Sequence, residues 1–300
     1  MSSNITLSSK TIVKNGYNNQ LHYNVRGSVV NFKNAQIAVE SINIYNSQFN
    51  IDSDTYENNT FKLLMPTART FSTVQITLSS GYYSYANINS AVQAACISAG
   101  AYLIDSNGNN VYFFNLSETP TFYSAQIDLL PVPTALGTYT RPPSCLYSSA
   151  GSGLPTSFPY TPKLVIDNEE FGSIIGFPLG QWPTSSVYTK QSFLSPISPQ
   201  INPTACYQVR CNLVKNPYSI PDDILTTFNT AGTTIGQLIS YRPNEFNWVS
   251  IPDGSFNSVR ITIVDQDERF VKFNDSNMLI GLSIRQNPNK KMNYFIVSVI

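Results

Sequence analysis

Apolar and polar residues alternate along several segments of this 300-residue sequence, and this period-two pattern constrains the fold more than any other feature. The alternation is clearest in residues 73–78, 258–263 and 278–285. Successive side chains of a strand point to opposite faces of a sheet. Each segment is therefore predicted to be an antiparallel strand with one face in the core and the other in solvent.

The segment Ala35–Tyr45 has the same character but changes phase in the middle. Its apolar positions up to Val39 share one parity, and those from Ile42 onward share the other. A β-bulge shifts the alternation by one residue and bends the strand. We therefore predict a long strand with a bulge or bend near Glu40–Ser41.

One helix and one hairpin interrupt the strand pattern. Residues 84–99 have apolar residues at helical spacing, with Ser84 or Asn87 as candidate caps and Gly100 as the stop. Residues 102–114 are predicted to form a hairpin around an Asp-Ser-Asn-Gly-Asn-Asn turn. The turn resembles the start of a calcium loop but lacks its later ligands, which favours a plain turn.

Many short strands, one helix and joints rich in Pro, Gly and Asn predict an all-β sandwich or barrel. Polar residues 1–33 are expected to form an N-terminal arm, ordered only after assembly. Residues 131–162 are expected to be a long surface loop rich in Pro, Gly and Ser. An apolar run, 294–300, lies in a tail (289–300), is too short for a bilayer span, and is expected to pair within the chain or with a partner.

Composition excludes several classes of function. Lys plus Arg and Asp plus Glu number 18 each, and charged residues are only 12 % of the chain, which argues against direct nucleic-acid binding. With 42 % apolar residues, the chain is not expected to be disordered. The low charge favours a surface largely covered by other protein, most simply by copies of itself.

Residue types that carry chemistry are sparse. The chain has a single histidine, His22, and this excludes metal sites built from several histidines. His22 has no acidic or nucleophilic neighbour in sequence, so a structural or solvated role is expected. Cys206 and Cys211 fall on opposite faces of a predicted strand, so no disulfide or shared metal is expected between them. All four cysteines are expected to be reduced and structural. No cofactor, metal site or catalytic residue is predicted.

Acidic pairs and a glycine-containing segment are the remaining candidates for chemistry. The pairs 52/54, 222/223 and 265/267 sit in turn-like contexts, where Asp has turn and cap roles. Asp265 and Asp267 are the least implausible pair for catalysis. The segment Phe171–Phe177 has two glycines but no P-loop lysine, and is predicted to be a strand with tight backbone approaches.

The two tryptophans, Trp182 and Trp248, are candidate interface residues. An exposed tryptophan can anchor a protein interface or stack on a sugar. A role in the core or in pinning a loop is equally compatible with their sequence context.

An ordered set of motifs resembles the penton (minor capsid) proteins of virophages and Polinton-like viruses, over residues from about 35 to 285. The motifs are Ala35–Ser47, Ser80–Ser84 followed by Asn87–Asn89, Phe171–Gly180, Cys211–Ser219, Asp222–Leu225, Arg242–Trp248, Val264–Gln266 and Leu282–Arg285. They are packing and turn patterns, and each one alone has little specificity.

The resemblance implies a single jelly roll. We expect this domain to cover residues 34–288, with an insertion or an upper subdomain somewhere within 79–200. The resemblance further implies a non-enzymatic homopentamer at the five-fold vertices of a small capsid, among capsomers of a double jelly-roll major capsid protein. A vertex fibre is a further candidate partner, and no membrane span or direct genome contact is expected. The location would be the virion, with synthesis in the host cytoplasm or a viral factory.

The alternative function is a glycan- or receptor-binding jelly-roll module such as a fibre head. The all-β pattern, the tyrosines and the two tryptophans are compatible with it. A glycosidase on the same fold is the third reading. Pentameric assembly without sugar affinity would distinguish the penton from both.

Overall fold

The computed structural model describes residues 2–25, 29–68, 70–147, 153–230 and 232–287. The predicted tail, 289–300, and part of the predicted loop, 148–152, lie outside the described residues.

The described residues form twenty strands and two α-helices, so the fold is all-β, as predicted. The helices are α1 (Tyr85–Ser98) and α2 (Glu169–Ile175). The strands are β1 Ser2–Ser8, β2 Gln20–Asn24, β3 Val30–Phe32, β4 Ala35–Tyr45, β5 Thr60–Pro66, β6 Phe71–Thr77, β7 Leu103–Ile104, β8 Asn110–Val111, β9 Phe114–Thr119, β10 Ser124–Leu129, β11 Lys163–Ile166, β12 Gly180–Trp182, β13 Gln191–Leu194, β14 Tyr207–Cys211, β15 Ile224–Phe228, β16 Leu238–Tyr241, β17 Val249–Ile251, β18 Gly254–Phe256, β19 Ser258–Asp265 and β20 Met278–Gln286.

The chain divides into two compact units. Met1–Gln48 and Thr204–Ile300 make one, called here the jelly-roll unit, and Phe49–Pro203 make the other, called the inserted unit. The inserted unit thus interrupts the jelly-roll unit in sequence, between β4 and β14. Its boundaries extend beyond the window of 79–200 in which sequence reasoning placed an insertion.

Two sheets build the jelly-roll unit. One has the order β1-β20-β4-β16, with β17 also paired to β4, and the other has the order β15-β14-β19-β2. Taken in chain order, the eight strands of these two paths exchange between the sheets as the strands of a jelly roll do. A small hairpin-like pair, β3 with β18, completes the unit.

The inner faces of both sheets form one apolar core. Ile37 and Leu282 contribute to it from the first sheet, and Val209 and Ile261 from the second, all of them fully buried. Along β19 the buried residues Val259, Ile261 and Ile263 alternate with more exposed ones, as the sequence pattern predicts. This alternation is what directs each strand's apolar face into the sandwich.

The predicted bulge in β4 is confirmed. β20 pairs Gly281 with Ser41 but Leu282 with Val39, so Glu40 is an extra residue opposite one step of the partner strand. The extra residue moves the later apolar side chains of β4 back onto the core face. Both halves of this eleven-residue strand can therefore be buried.

Residues of the predicted N-terminal arm lie in the sheets. β1 pairs with β20 over seven residues, and β2 pairs with β19, which places His22 opposite Arg260. The segment differs from a free arm because Leu7 and Leu21 are fully buried and anchor it to the core. Both strands lie at the edge of their sheets, where polar residues are tolerated on the outer side.

The inserted unit combines two main sheets with both helices. One sheet has the order β12-β11-β5-β6 and the other β13-β10-β9. The predicted helix is confirmed as α1, and Ser84 is its N-cap. The Ser84 side chain accepts a hydrogen bond from the Asn87 backbone N–H, and the Asn87 side chain accepts one from the Ser84 backbone N–H. Ile88, Val92 and Cys96 bury one face of the helix.

The predicted hairpin is confirmed as β7 and β8, which pair Leu103 with Val111. The carboxylate of Asp105 organises the turn by accepting hydrogen bonds from the backbone N–H groups of Asn107 and Asn109. The bond from Asn109 is the main reason why the pKa of the exposed Asp105 carboxyl lies below its usual value.

The prediction of a strand at Phe171–Phe177 is wrong, because most of this segment is helix α2. Asn168 caps the helix by accepting from the Phe171 N–H at 3.1 Å, and Gly176 ends it in the left-handed conformation. Phe171 stacks on Phe61 at 4.2 Å between ring centroids, with both rings buried. The fold thus has a second helix that the sequence pattern did not predict.

The described part of the predicted surface loop, residues 131–162, is irregular but not wholly superficial. Val132 and Tyr147 are fully buried and belong to the core of the inserted unit. The Gly100 carbonyl accepts from the Leu146 N–H at 3.0 Å, which fixes the segment beside the end of α1.

We predict that Gly176→Ala destabilises the protein far more than Gly108→Ala. A Cβ at Gly176 would lie 2.4 Å from the Ile197 carbonyl oxygen, whereas one at Gly108 meets nothing within 4 Å. Both glycines have positive φ, of +75° and +83°, so the backbone strain is matched. Chemical denaturation should show a loss of about 3 kcal/mol for Gly176→Ala and about 1 kcal/mol for Gly108→Ala. Equal losses would contradict the packing described for α2.

Candidate functional site

The acidic pair at 52 and 54 forms a turn. Asp52 is buried, and its carboxylate accepts hydrogen bonds from the backbone N–H groups of Asp54 and Thr55, each at 2.8 Å. The Asp52 N–H in turn donates to the side chain of the buried Asn58. This carboxylate therefore holds the backbone of the turn in place.

The pair at 222 and 223 serves an ion pair. The Arg210 guanidinium donates to both carboxylate oxygens of Asp223, at 2.8 and 3.0 Å, and Glu268 lies 3.8 Å from the same guanidinium. Arg210 lies in β14 and Asp223 directly precedes β15, and these two strands are neighbours in one sheet. The pair therefore links β14 to the start of β15 at the surface.

Asp265 is the most buried carboxylate of the three pairs, with a fully inaccessible side chain. One of its oxygens accepts from the backbone N–H groups of Asp267 and Arg269, and the other accepts from the Arg269 Nε at 2.9 Å. Asp267 also contacts the Arg269 guanidinium, at 3.1 Å. The two carboxylates thus share one arginine in the turn after β19.

All four cysteines are free in the structure. Burial raises the pKa of Cys96 and of Cys211 to about 12 and raises that of Cys145 as well. Cys206 is only partly buried. Three of the thiols therefore behave as core side chains and are protonated at neutral pH.

Trp182 lies at the end of β12 and pins a loop of the inserted unit. Its ring meets Phe177 and Phe193 edge-on, with centroid distances of 5.4 and 6.1 Å. The indole N–H donates to the Pro178 carbonyl at 3.4 Å. These contacts fit a loop-pinning role, and the candidacy of Trp182 as an interface residue stays a prediction.

Trp248 is part of a surface stack on the jelly-roll unit. The Arg285 guanidinium carbon lies 4.0 Å from the centroid of the indole ring, and Phe246 meets the ring edge-on at 5.5 Å. The Arg285 Nε also donates to the Gln36 side chain at 3.1 Å. The arrangement places a cation and two aromatic rings together at the surface, and Phe246 is 44 % exposed.

Among the described residues, the most exposed large apolar side chains lie on one short loop of the jelly-roll unit. Tyr218 is 96 % exposed and Ile220 is 94 % exposed. The Asn216 side chain accepts from the Tyr218 N–H at 3.1 Å, and the Ser219 hydroxyl donates to the carbonyls of Asn216 and Pro221. The loop thus presents two apolar side chains on a hydrogen-bonded frame.

Sequence reasoning did not identify Tyr218, Ile220 or Arg285 as surface residues of interest. Tyr218 falls within one of the resembling motifs, Cys211–Ser219. The alternation of apolar and polar residues does not predict its exposure. Arg285 reaches Trp248 because β20 and β17 both pair with β4. That proximity is a property of sheet order, so spacing in the sequence cannot predict it.

Two classes of site have no representative among the described residues. No group of three or more His, Cys, Asp or Glu side chains there is placed to hold a metal ion. Likewise, no helix in the described part is long and apolar enough to cross a membrane.

The fold and these surfaces define an all-β protein with a jelly-roll unit, whose acidic pairs form turns and ion pairs. No protein-family model matches the chain, and no curated protein sequence matches it. The chain is similar in structure to the mavirus penton protein, with a TM-score of 0.44 and 12 % identity over 95 % of this chain and 97 % of that one.

We predict that Asp265→Ala costs about 3 kcal/mol of folding free energy, because it removes the carboxylate that accepts from the backbone N–H groups of Asp267 and Arg269 and from the Arg269 Nε. Asp267→Ala is the matched control, since this carboxylate is 58 % exposed and its pair with Arg269 contributes below about 1 kcal/mol. Equilibrium unfolding in urea measures both. Equal, small effects would show that Asp265 is free for another role.

We predict that only one thiol of the folded protein reacts rapidly with an aromatic disulfide reagent at pH 8. The fast thiol should be Cys206, while Cys96 and Cys211, with pKa values raised to about 12, stay protonated and inaccessible. Cys206→Ser should remove the fast phase, and Cys211→Ser should leave it unchanged. A fast phase that survives Cys206→Ser would contradict the burial described here.

Proposed function

We propose that this chain is a structural penton protein that forms homopentamers at the five-fold vertices of a small icosahedral capsid. The observation that carries the proposal is the strand order of the jelly-roll unit, β1-β20-β4-β16 and β15-β14-β19-β2. Double-sheet jelly rolls are a recurrent architecture of viral capsid subunits. Lectins use it too, so the fold narrows the function without fixing it.

The positions of the resembling motifs support the same proposal. Ala35–Ser47 contains the central strand β4 and its bulge, and Ser80–Ser84 supplies the cap of α1. Phe171–Gly180 contains most of α2, and Leu282–Arg285 lies in β20. The motifs therefore lie in elements that build the fold of both units. A resemblance between two folds is expected to involve such elements.

The surface of the jelly-roll unit also fits a subunit of a ring. A closed five-fold ring uses heterologous contacts, in which each subunit presents two different patches. The loop bearing Tyr218 and Ile220 and the stack of Phe246, Trp248 and Arg285 are two such patches of different chemistry. Aromatic and arginine side chains are the residues most often found at the energetic centre of interfaces.

The proposal includes partners and location. The ring would contact a double jelly-roll major capsid protein at the vertex, with a vertex fibre as a further partner, and the protein would be a component of the virion.

Its acidic pairs support a structural role, because the carboxylates of Asp52, Asp223 and Asp265 all bind backbone N–H groups or arginine. A glycan-binding role has less support, since Arg285 covers one face of Trp248.

We predict that light scattering across a concentration series gives a solution mass near five times 33.3 kDa. A closed ring should keep this mass over a wide range of concentration, because each subunit is held by two interfaces. A trimer would contradict the proposal and indicate a fibre head or a trimeric capsomer. A monomer that binds a glycan array would favour the alternative of a receptor-binding module.

A further inference from the structure

An apolar groove opens on the surface of the jelly-roll unit, beside the last residues of β20. Its volume is about 300 Å³, and nine of its eleven described lining residues are apolar, with none charged. The walls come from β1, β2, β3, β18, β19 and β20, and include Ile5, Tyr23, Phe32, Phe256, Val259 and Ile284. We call it the β1–β2 groove.

The groove lies where the two sheets of the sandwich both present edge strands. β1 is the end strand of one sheet path and β2 is the end strand of the other. The rings of Phe32 and Phe256 lie 5.7 Å apart and remain only partly buried. A concave apolar surface with this lining favours an apolar occupant, because apolar side chains gain free energy when removed from water.

The chain itself carries a segment of matching chemistry a short distance away in sequence. Residues 294–300 read Tyr-Phe-Ile-Val-Ser-Val-Ile and contain no charge. Ile284, which lines the groove, precedes this segment by ten residues, and such a length of chain can span at most ~35 Å. The Asn287 N–H donates to the Asn34 carbonyl at 2.8 Å, so the chain is still anchored beside β4 at that point.

Attachment to the same chain gives this segment an advantage over any free partner. Only residues 288–293 separate the anchored Asn287 from Tyr294. A short tether of this kind produces an effective concentration in the mM range at a nearby site. At lower protein concentrations the segment of the same chain therefore competes well against a second copy.

We propose that residues 294–300 pack their apolar side chains into the β1–β2 groove of their own chain. The inference rests on the groove, the apolar character of its described lining residues and the position of Asn287, and it stands independently of any capsid role. It also gives the apolar run a partner within the chain, so that it does not act as an adhesive segment.

The test is site-specific photocrosslinking of the full chain at low concentration. Phe256→p-benzoylphenylalanine places the photoreactive group in the groove, and Phe246→p-benzoylphenylalanine is the matched control on the same unit. Mass spectrometry should identify a crosslink from position 256 to a peptide containing residues 294–300, in product of monomer mass. The control should give no such crosslink.

A second variant tests whether apolar packing is the cause. Ile296→Asp should reduce the crosslink from position 256 to the level of the control, whereas Lys290→Ala should leave it unchanged. Failure to crosslink residues 294–300, or a crosslink found in product of dimer mass, would overturn the proposal. A dimer-mass product would identify a second copy as the occupant, and it would leave the measured oligomeric mass as a separate question.

Discussion

The jelly-roll unit depends on the contact between the central strands of its two sheets. β4 and β20 pair along nine residues of β20 and bury Ile37, Ile42 and Leu282 against the opposite sheet. β14 and β19 present the complementary face. Because these strands are covered on the inner side and paired on both edges, their backbone groups and apolar side chains are satisfied together. The edge strands and surface loops are built onto this centre.

The same centre explains how a second unit can interrupt the chain. The jelly-roll unit ends its first part at Gln48 and resumes at Thr204. The Gln48 side-chain Nε2 donates to the Thr204 hydroxyl at 2.6 Å, and the Tyr207 hydroxyl donates to the Gln48 side-chain Oε1 at 3.1 Å. These bonds hold the two ends together inside one unit. Loop-closure entropy grows only slowly with the length inserted, so a large insertion between fixed ends is tolerated.

The sequence predicts features that depend on neighbouring residues, and it does not predict features that depend on contacts between distant segments. The strands, the Glu40 bulge and the Ser84 cap follow from patterns of a few neighbouring residues. Helix α2 was missed although Asn168, two glutamates and Gly176 mark its ends, because seven residues give too little periodicity to outweigh two glycines. The stack of Trp248 and Arg285 joins residues 37 positions apart, and only the sheet order brings them together.

The distribution of polar groups bears on how such a chain can work. Its buried carboxylates are occupied by backbone and arginine, whereas Tyr218 and Ile220 are left almost fully exposed. An exposed side chain on a flexible loop loses conformational entropy when it docks, but the loop at Asn216 already has its backbone fixed by hydrogen bonds. The loss of conformational entropy that opposes association is then smaller, and more of the free energy from apolar burial appears as binding free energy. A chain with few charges and one exposed apolar loop of fixed backbone is thus suited to contacts with other protein.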